Sequence, residues 1–348
     1  MFNRRLLGAL GVTTAVALGL AVWLNRPIAE QQSNDTQAFI PALKAQRDSV
    51  NALQIKTKQQ TLTLQMQDNQ WRVNERDGFV ANNAKIRDLL TALGEAKIAE
   101  TKTADPTRYA KLGVEDGGDK SLSLIVKAGE QVLADFIAGS SVYRPAGHYV
   151  RRVNEAPSYL IDRELQIGRE VRDWIDADLI KLPATKIVKI ERLLVPPAIQ
   201  CIKAPCEAIN FSLSKASGSA EFMLDNLPAN KEMQAAPIVS GLSDVMNGLT
   251  ANDVVKADKL NTQGAKQTVT RFYSDDKQIV TLTYSALNDK HYVAFALQAA
   301  DDASAETKAA LEKQAAKLQG WTFEINSYKG EGLARGIDEL TQKKEAKK

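Results

Sequence analysis

The tripeptide His148-Tyr149-Val150 occurs again as His291-Tyr292-Val293, and this recurrence decides how the fold is interpreted. Three further matches keep the same order along the chain: Asp88-Leu89-Leu90-Thr91-Ala92-Leu93 with Asp244-Val245-Met246-Asn247-Gly248-Leu249, Ile98 with Val254, and Leu160-Ile161-Asp162 with Glu324-Ile325-Asn326. Any one match is short enough to arise by chance, but a collinear series indicates an internal repeat. We therefore expect a tandem duplication.

Each copy has the pattern of an α+β unit. In the first copy, Val50, Leu53 and Ile55 alternate with polar residues in the two-residue period of a half-buried strand, and further alternating stretches follow. A helix capped by Asn82 or Asn83 is predicted from the spacing of its apolar residues, which are Ile86, Leu89, Leu90 and Leu93. The prediction is a mostly antiparallel sheet with one covering helix in each copy.

These patterns predict a first repeat over residues 46–183, a second over 184–342 and a basic tail over 343–348. The second repeat has two additions, a loop from Val195 to Glu207 and the helix-favouring segment Asp301 to Gln319. The stretch from Gln31 to Ala45 carries Ser, Asn, Asp and Gln and is interpreted as polar, so residues 25–45 are predicted to form a flexible linker.

The N-terminal segment predicts a membrane anchor. Residues 6–24 carry no charge and approach the ~20 apolar residues that a membrane-spanning helix needs. Arg4 and Arg5 precede this run, which places residues 1–5 in the cytoplasm and the bulk of the chain in the periplasm. A cleaved signal peptide is the competing interpretation, although Pro27-Ile28-Ala29 is a poor cleavage site. The expected location is therefore the inner membrane, with a single pass.

Composition excludes some classes of function. The chain has 45 basic and 42 acidic residues, a net charge of +3. This net positive charge is too small to favour the binding of nucleic acid. With two histidines and two cysteines among 348 residues, most zinc sites and catalytic triads lack the side chains they require. The sequence predicts no enzyme activity and no cofactor, with an enzyme of unrecognised class as the weakest alternative.

Cys201 and Cys206 lie in the loop that is added to the second repeat. In a periplasmic or extracellular compartment such a pair is expected to form a disulfide. A redox site would more often use Cys-x-x-Cys, and two cysteines alone do not complete a structural zinc site. We predict a local structural disulfide, with redox or metal binding as alternatives.

His148 and His291 occupy matched positions in the two copies. A catalytic histidine needs a partner in the same site, and the duplication separates these two. They are interpreted as half-exposed strand residues, with pH sensing or metal bridging between the copies as the alternative.

Several segments of the first copy resemble a family of membrane-anchored bacterial envelope proteins with a repeated domain of unknown function, often encoded beside gliding-motility-type ABC transporter auxiliary and permease proteins. The segments that carry the resemblance are Trp71-Arg72-Val73, Tyr109-Ala-Lys-Leu-Gly-Val-Glu-Asp116, Phe136-Ile-Ala-Gly139, Tyr149-Val-Arg151 and Trp174. The Val195–Glu207 loop departs from the family's pattern. The resemblance implies an accessory role near an ABC-type exporter and transfers no catalytic residue.

The sequence therefore predicts a periplasmic accessory or binding subunit of an ABC-type export system, with a permease or an auxiliary envelope protein as partner. The alternative is an independent envelope module that binds glycan, lipid or peptide.

Overall fold

The computed structural model describes residues 37–195, 208–216 and 219–344. These residues form two large sheets of nine and eight strands and a third of two strands, and neighbouring strands within them are antiparallel. The predicted class, a mostly antiparallel sheet-rich α+β fold, is confirmed.

The first sheet has the strand order β4-β3-β2-β1-β6-β7-β8-β9-β5. Its strands are β1 (Ala52–Lys56), β2 (Thr61–Gln67), β3 (Gln70–Val73), β4 (Phe79–Val80), β5 (Ile98–Thr101), β6 (Leu122–Ala128), β7 (Gln131–Tyr143), β8 (Ala146–Arg152) and β9 (Ser158–Ile161).

The second sheet has the strand order β12-β11-β10-β15-β16-β17-β18-β14. Its strands are β10 (Ile187–Leu193), β11 (Ile209–Lys215), β12 (Phe222–Leu224), β14 (Asp253–Lys256), β15 (Lys266–Ser274), β16 (Gln278–Leu287), β17 (Lys290–Ala299) and β18 (Trp321–Ile325). The small third sheet pairs β13 (Lys231–Met233) with β19 (Thr341–Lys343).

The described helices number more than the one per sheet that the sequence predicts. They are α1 (Pro41–Gln46), α2 (Asn83–Glu95), α3 (Tyr109–Leu112), α4 (Ala236–Asp244), α5 (Ala305–Leu318), α6 (Ser327–Ala334) and α7 (Ile337–Leu340). Among the additional helices, α5 packs along β17, and α6 packs against β15, β16 and β17. Helix α5 lies inside the predicted segment Asp301–Gln319.

Both sheets follow one scheme. Without β4, the order of the first sheet from β3 to β5 is the order of the second from β12 to β14. The matched tripeptides also pair alike, because His148 lies opposite Ile161 and His291 lies opposite Ile325. One predicted match is wrong: Val254 pairs with Phe323 as Thr101 pairs with Tyr159, so Val254 takes the place of Thr101 and not of Ile98.

The strand register also shows which residues occupy equivalent positions at the centre of each sheet. In the first sheet, Val150 pairs with Ala138; two residues before Ala138, Phe136 pairs with Leu124, which pairs with Ile55. These side chains all belong to the buried core.

The same path in the second sheet starts at Val293, which pairs with Tyr284. Two residues before Tyr284, Leu282 pairs with Thr270, and Thr270 pairs with Arg192. Ile55 and Leu124 of the first sheet thus correspond to Arg192 and Thr270 of the second.

Helix α2 packs its apolar side on the first sheet. Ile86, Leu89, Leu90 and Leu93 are buried, and the Asn82 side chain accepts a hydrogen bond from the Lys85 backbone N–H at 3.1 Å. The predicted cap is therefore Asn82. Burying each Leu or Ile side chain contributes about 1.5–3 kcal/mol. The buried side chains of the two sheets join in one apolar cluster.

Part of the predicted linker is packed against the first sheet. Leu43 of α1 is fully buried, and the Phe39 ring meets the Phe136 ring edge-on at 5.2 Å between centroids. The prediction of a flexible linker fails for residues 37–45 because apolar side chains within this polar stretch supply a buried face.

Similar segments begin both halves of the structure. The Ile98 N–H donates to the Gln37 carbonyl at 2.9 Å, and the Ala251 N–H donates to the Ala177 carbonyl at 2.9 Å. The matched segments thus begin near residues 37 and 177, ahead of the predicted starts at 46 and 184.

Within the described residues, no helix has the length and apolar character needed to cross a membrane. The predicted anchor at residues 6–24, the preceding residues 1–5 and the Cys201–Cys206 pair lie outside the described residues.

Candidate functional site

His148 is a packed side chain with both ring nitrogens engaged. It is 8% exposed, its Nε2 lies 3.1 Å from the Gly139 carbonyl oxygen, and its Nδ1 accepts from the Leu165 backbone N–H at 3.3 Å. The neutral tautomer with hydrogen on Nε2 satisfies both contacts. Burial lowers the pKa of His148 below its ordinary value. The sequence predicts half exposure, and the structure buries this residue instead.

His291 has a different environment in the second sheet. Its Nδ1 lies 2.8 Å from the Tyr284 hydroxyl oxygen, a hydrogen-bonding distance, and the two rings stack with 5.9 Å between their centroids. Gly330 of α6 lies against the imidazole so closely that a Cβ there would come within 2.2 Å of Nδ1. Each histidine contacts its own sheet and its own covering segment.

The segment Tyr109–Asp116, which carries part of the family resemblance, is fastened to the outer face of the first sheet by Arg151. This arginine is buried; its Nε donates to the Val114 carbonyl at 3.0 Å and its NH2 to Asp116 Oδ2 at 2.6 Å. Its guanidinium carbon lies 4.7 Å from the centre of the Tyr109 ring. These contacts give the motif residues a structural role, which is to hold the segment against the sheet.

Two glycines of these motifs allow the segment to lie close to the sheet. Gly113 has φ +72° at the end of α3, a left-handed conformation that glycine adopts without strain. A Cβ on Gly139 would come within 2.2 Å of the Leu112 carbonyl oxygen. Both positions therefore require glycine for packing.

A cleft of about 800 Å³ opens where the two sheets meet. Strands β3 and β4 form one wall, helix α5 and Trp321 form the other, and the segment 176–181 that joins the halves contributes to the base. Clefts between units, with a volume of ~300–1,000 Å³, are common ligand sites. We define this region as the inter-sheet cleft.

Aromatic rings join the two walls of the inter-sheet cleft. Phe79 of β4 is buried and meets Trp321 edge-on at 5.0 Å and Phe323 at 5.7 Å. Edge-to-face pairs add ~0.5–1.5 kcal/mol beyond the area they bury. This contact fixes the position of β4 against β18.

Ion pairs beside the aromatic contact also join the halves. Arg76 Nε and NH2 donate to the two carboxylate oxygens of Asp253 at 2.5 and 2.9 Å, and this hydrogen bonding raises the pKa of Arg76. Lys259 bonds to Asp77 and lowers the pKa of that carboxyl group. The inter-sheet cleft is thus formed between walls that several contacts hold in place.

The charges that line the inter-sheet cleft are mostly positive. Its basic residues are Arg72, Lys181, Lys313 and Lys317, and its acidic residue is Asp176. Lys317 Nζ lies 2.8 Å from Asp176 Oδ2 and donates to the Asp178 carbonyl at 2.6 Å.

The other basic side chains of the cleft differ in whether they already bind another group of the protein. Arg72 NH1 donates to the Gly78 carbonyl at 2.9 Å. Lys181 and Lys313 are exposed, and neither forms an ion pair with another described residue. Their ammonium groups are available to a ligand.

Sequence reasoning missed this cleft because its lysines come from distant parts of the chain. One signal was present: Lys313 and Lys317 are four residues apart on α5, a spacing that puts both on one side of a helix shortly before Trp321. Their relation to Lys181 depends on how the two sheets pack.

The class defined by this fold is a two-sheet α+β protein with a basic cleft between its sheets. A family model for the Domain of unknown function (DUF4340) matches residues 71–268, which is more than half of the chain, and the protein belongs to that family. The match runs from Trp71 in β3 to Thr268 in β15 and so includes parts of both sheets. No curated protein and no solved structure matches the chain.

Proposed function

We propose that this protein is a membrane-anchored periplasmic accessory or binding subunit associated with an ABC-type export system. The single observation that carries the binding role is the inter-sheet cleft, whose walls come from both sheets and whose lining includes two uncommitted lysines. The uncharged run at residues 6–24, preceded by Arg4 and Arg5, supports the anchor and its orientation. The export-system partner, a permease or an auxiliary envelope protein, is supported by family resemblance.

The two sheets are proposed to descend from one duplicated unit. The common strand order and the matched pairing of the two His-Tyr-Val segments support this proposal. Duplication provides two similar scaffolds that present a joint surface, and a binding role requires no further chemistry from them.

A binding role fits the lining of the inter-sheet cleft better than catalysis does. Its polar groups are lysines, an arginine and amides such as Gln278 and Gln314, and its one carboxylate is engaged with Lys317. General acid–base chemistry needs titratable groups placed together with suitable pKa values. The cleft supplies positive charge and apolar surface, which are means of holding a partner.

The Cys201–Cys206 disulfide remains part of this proposal. Both cysteines lie between β10 and β11 in the sequence, and the Leu194 N–H donates to the Ala208 carbonyl at 2.8 Å where the described strands approach this segment. Closing a short loop by a disulfide contributes ~2–3 kcal/mol. Thiol alkylation before and after reduction, followed by mass spectrometry, tests it: alkylation only after reduction is expected, and alkylation without reduction would contradict it.

The main experiment is affinity purification of the full-length protein from native membranes in detergent, with mass spectrometry of the proteins that remain bound. We expect an ABC-type permease and its ATPase to co-purify. Replacing residues 1–26 with a cleavable signal should release the protein from the membrane and reduce their recovery. Recovery of the protein without a transporter component would overturn the proposed association.

The second candidate function is an independent envelope module that binds glycan, lipid or peptide. The volume and charge of the inter-sheet cleft favour it as much as they favour a transporter partner. A bound small ligand in the purified protein, without a co-purifying protein, would support this candidate.

A further inference from the structure

We propose that the inter-sheet cleft binds an acidic, partly apolar peptide segment of a partner protein. This inference rests on the proposed binding role and specifies the chemistry of the ligand. It depends on the charges, the apolar wall and the hydrogen-bonding groups of the cleft.

The charge of the cleft selects for an acidic ligand. Among the described residues, four basic side chains and one carboxylate line it, and that carboxylate forms an ion pair with Lys317. Lys181 and Lys313 lie at exposed positions without an ion pair among the described residues. Carboxylates placed between these two ammonium groups would gain complementary charge and faster association.

The apolar part of the cleft requires more than charge from the ligand. The exposed Ala310 and Ala316 of α5 line it together with the half-buried Val80 and Trp321. A purely charged polymer would leave this surface in contact with water, whereas aliphatic side chains would bury it at about 25 cal/mol per Å². The wall therefore favours a segment in which acidic and apolar residues alternate.

The hydrogen-bonding groups favour a peptide over a glycan. A sugar presents many hydroxyl groups that need acceptors, and the cleft's one carboxylate, Asp176, is engaged with Lys317. Gln70 and Gln278 have side-chain amides that can both donate and accept, which matches the alternating N–H and C=O groups of a peptide backbone. Gln278 Nε2 already donates one hydrogen to Asp276 Oδ2 at 3.0 Å, which leaves its second N–H and its carbonyl oxygen for the ligand. An acidic peptide uses the lysines, the amides and the apolar wall together.

The test is fluorescence anisotropy with the full-length protein in detergent and short labelled peptides. The probe is a repeat of Leu-Glu-Glu, and the matched peptides carry Gln or Lys in place of Glu. We expect saturable binding of the Glu peptide alone, weakened as sodium chloride rises from about 0.05 M to about 0.5 M.

The charge-reversal variant Lys181→Glu/Lys313→Glu should weaken binding of the Glu peptide by roughly tenfold or more. Its control, Lys111→Glu/Lys127→Glu, makes the same change of charge at two exposed lysines outside the cleft and should bind as the unmodified protein does. Both variants alter exposed side chains, so circular dichroism is expected to show unchanged folding. Equal weakening in the two variants would mean that overall charge, and not the cleft, determines binding.

Two other probes separate this inference from its competitors. Binding of polygalacturonate or of phosphatidylglycerol vesicles through the same two lysines, without binding of the Glu peptide, would overturn the peptide assignment. Failure of all the probes would also overturn it. Co-purification of a transporter depends on a different measurement and would still support the proposed association if the peptide assignment failed.

Discussion

The first and second sheets share a strand order but bury different side chains at a matched pair of positions. In the first sheet the pair is Ile55 and Leu124, which are 1% and 0% exposed. In the second it is Arg192 and Thr270, which are 3% and 0% exposed. One arrangement of strands thus accepts either an apolar or a polar pair at its centre.

The polar pair is incompletely satisfied. Arg192 NH2 donates to the Arg335 carbonyl at 3.0 Å, while its Nε and NH1 and the Thr270 hydroxyl have no hydrogen-bond partner in the described part of the chain. Burial lowers the pKa of Arg192 to about 10. A buried cation whose hydrogen-bond donors lack acceptors lowers the stability of a fold. Apolar residues at Arg192 and Thr270, like those of the first sheet, should therefore stabilise the second sheet. The difference shows that conserving a topology does not require conserving the polarity of its core.

The largest effect is expected from giving the first sheet the arginine of the second. In Ile55→Arg a cation enters a buried position beside Leu124 and Leu62, neither of which offers an acceptor from its side chain. We expect the free energy of unfolding to fall by more than about 4 kcal/mol. Urea denaturation followed by tryptophan fluorescence measures this, with exposed Lys56→Arg as the control. A loss below about 1 kcal/mol would show that this sheet tolerates the charge too.

The helices that cover the two sheets offer a second comparison. Leu93 of α2 and Leu249, which follows α4, are 0% and 1% exposed. Leu93→Ala and Leu249→Ala should each lower the free energy of unfolding by about 2–5 kcal/mol, because each deletes buried methyl groups and leaves a cavity. Urea denaturation of both variants checks this. If one of the two costs less than about 1 kcal/mol, the residues do not have equivalent packing roles.

Replacing the polar pair tests the comparison from the other direction. The double variant Arg192→Met/Thr270→Val removes the unfilled donors and keeps similar volumes. Its free energy of unfolding should rise by about 1–4 kcal/mol, as found when buried ionic groups are replaced by apolar ones. Arg192→Ala alone should destabilise, since it leaves a cavity. Destabilisation by the double variant would show that the second sheet depends on its buried arginine.

The smallest expected effect concerns His148, the histidine buried in the first sheet. Burial lowers the folded-state pKa of His148 below the ordinary 6.5, so the unfolded chain takes up the proton first as pH falls. The contribution of His148 to stability is therefore retained above pH 6.5 and decreases below it, toward the folded-state pKa.

Denaturation at several pH values between about 7.5 and 5 measures how the free energy of unfolding changes with pH. We expect His148→Gln to make the free energy of unfolding less dependent on pH over this range than it is in the unmodified protein. Nearby Glu164 raises the pKa of His148 and Arg169 lowers it, while burial is the largest cause. Equal pH dependence in His148→Gln and in the unmodified protein would contradict the assignment of this effect to His148.

The sequence predicted elements whose signals are local. Alternation around Leu53 and Ile55 located β1, and the asparagine before Ile86 located the start of α2. The recurrence at His148 and His291 pointed to two strands that pair in the same register. In each case a short range of residues contains the information.

Features that depend on tertiary packing were not predicted. Phe39 and Leu43 lie in the short apolar run Ala38–Leu43 at the end of a polar segment, and their burial depends on contacts with the sheet. Arg192 is charged and would be expected at the surface, yet the register places it in the core. The inter-sheet cleft combines Lys181 with Lys313, which are brought together only when the two sheets pack.

The contact between Phe79 and Trp321 also affects the order in which the chain acquires its structure. Phe79 is synthesised long before Trp321 and Phe323, the residues that cover it in the folded protein. Until the second half emerges, the first sheet presents an uncovered aromatic side chain on its short terminal strand, β4. Such transient surfaces promote misassembly. Final docking of the first half must wait for the second, which makes folding of the two halves interdependent despite their separate sheets.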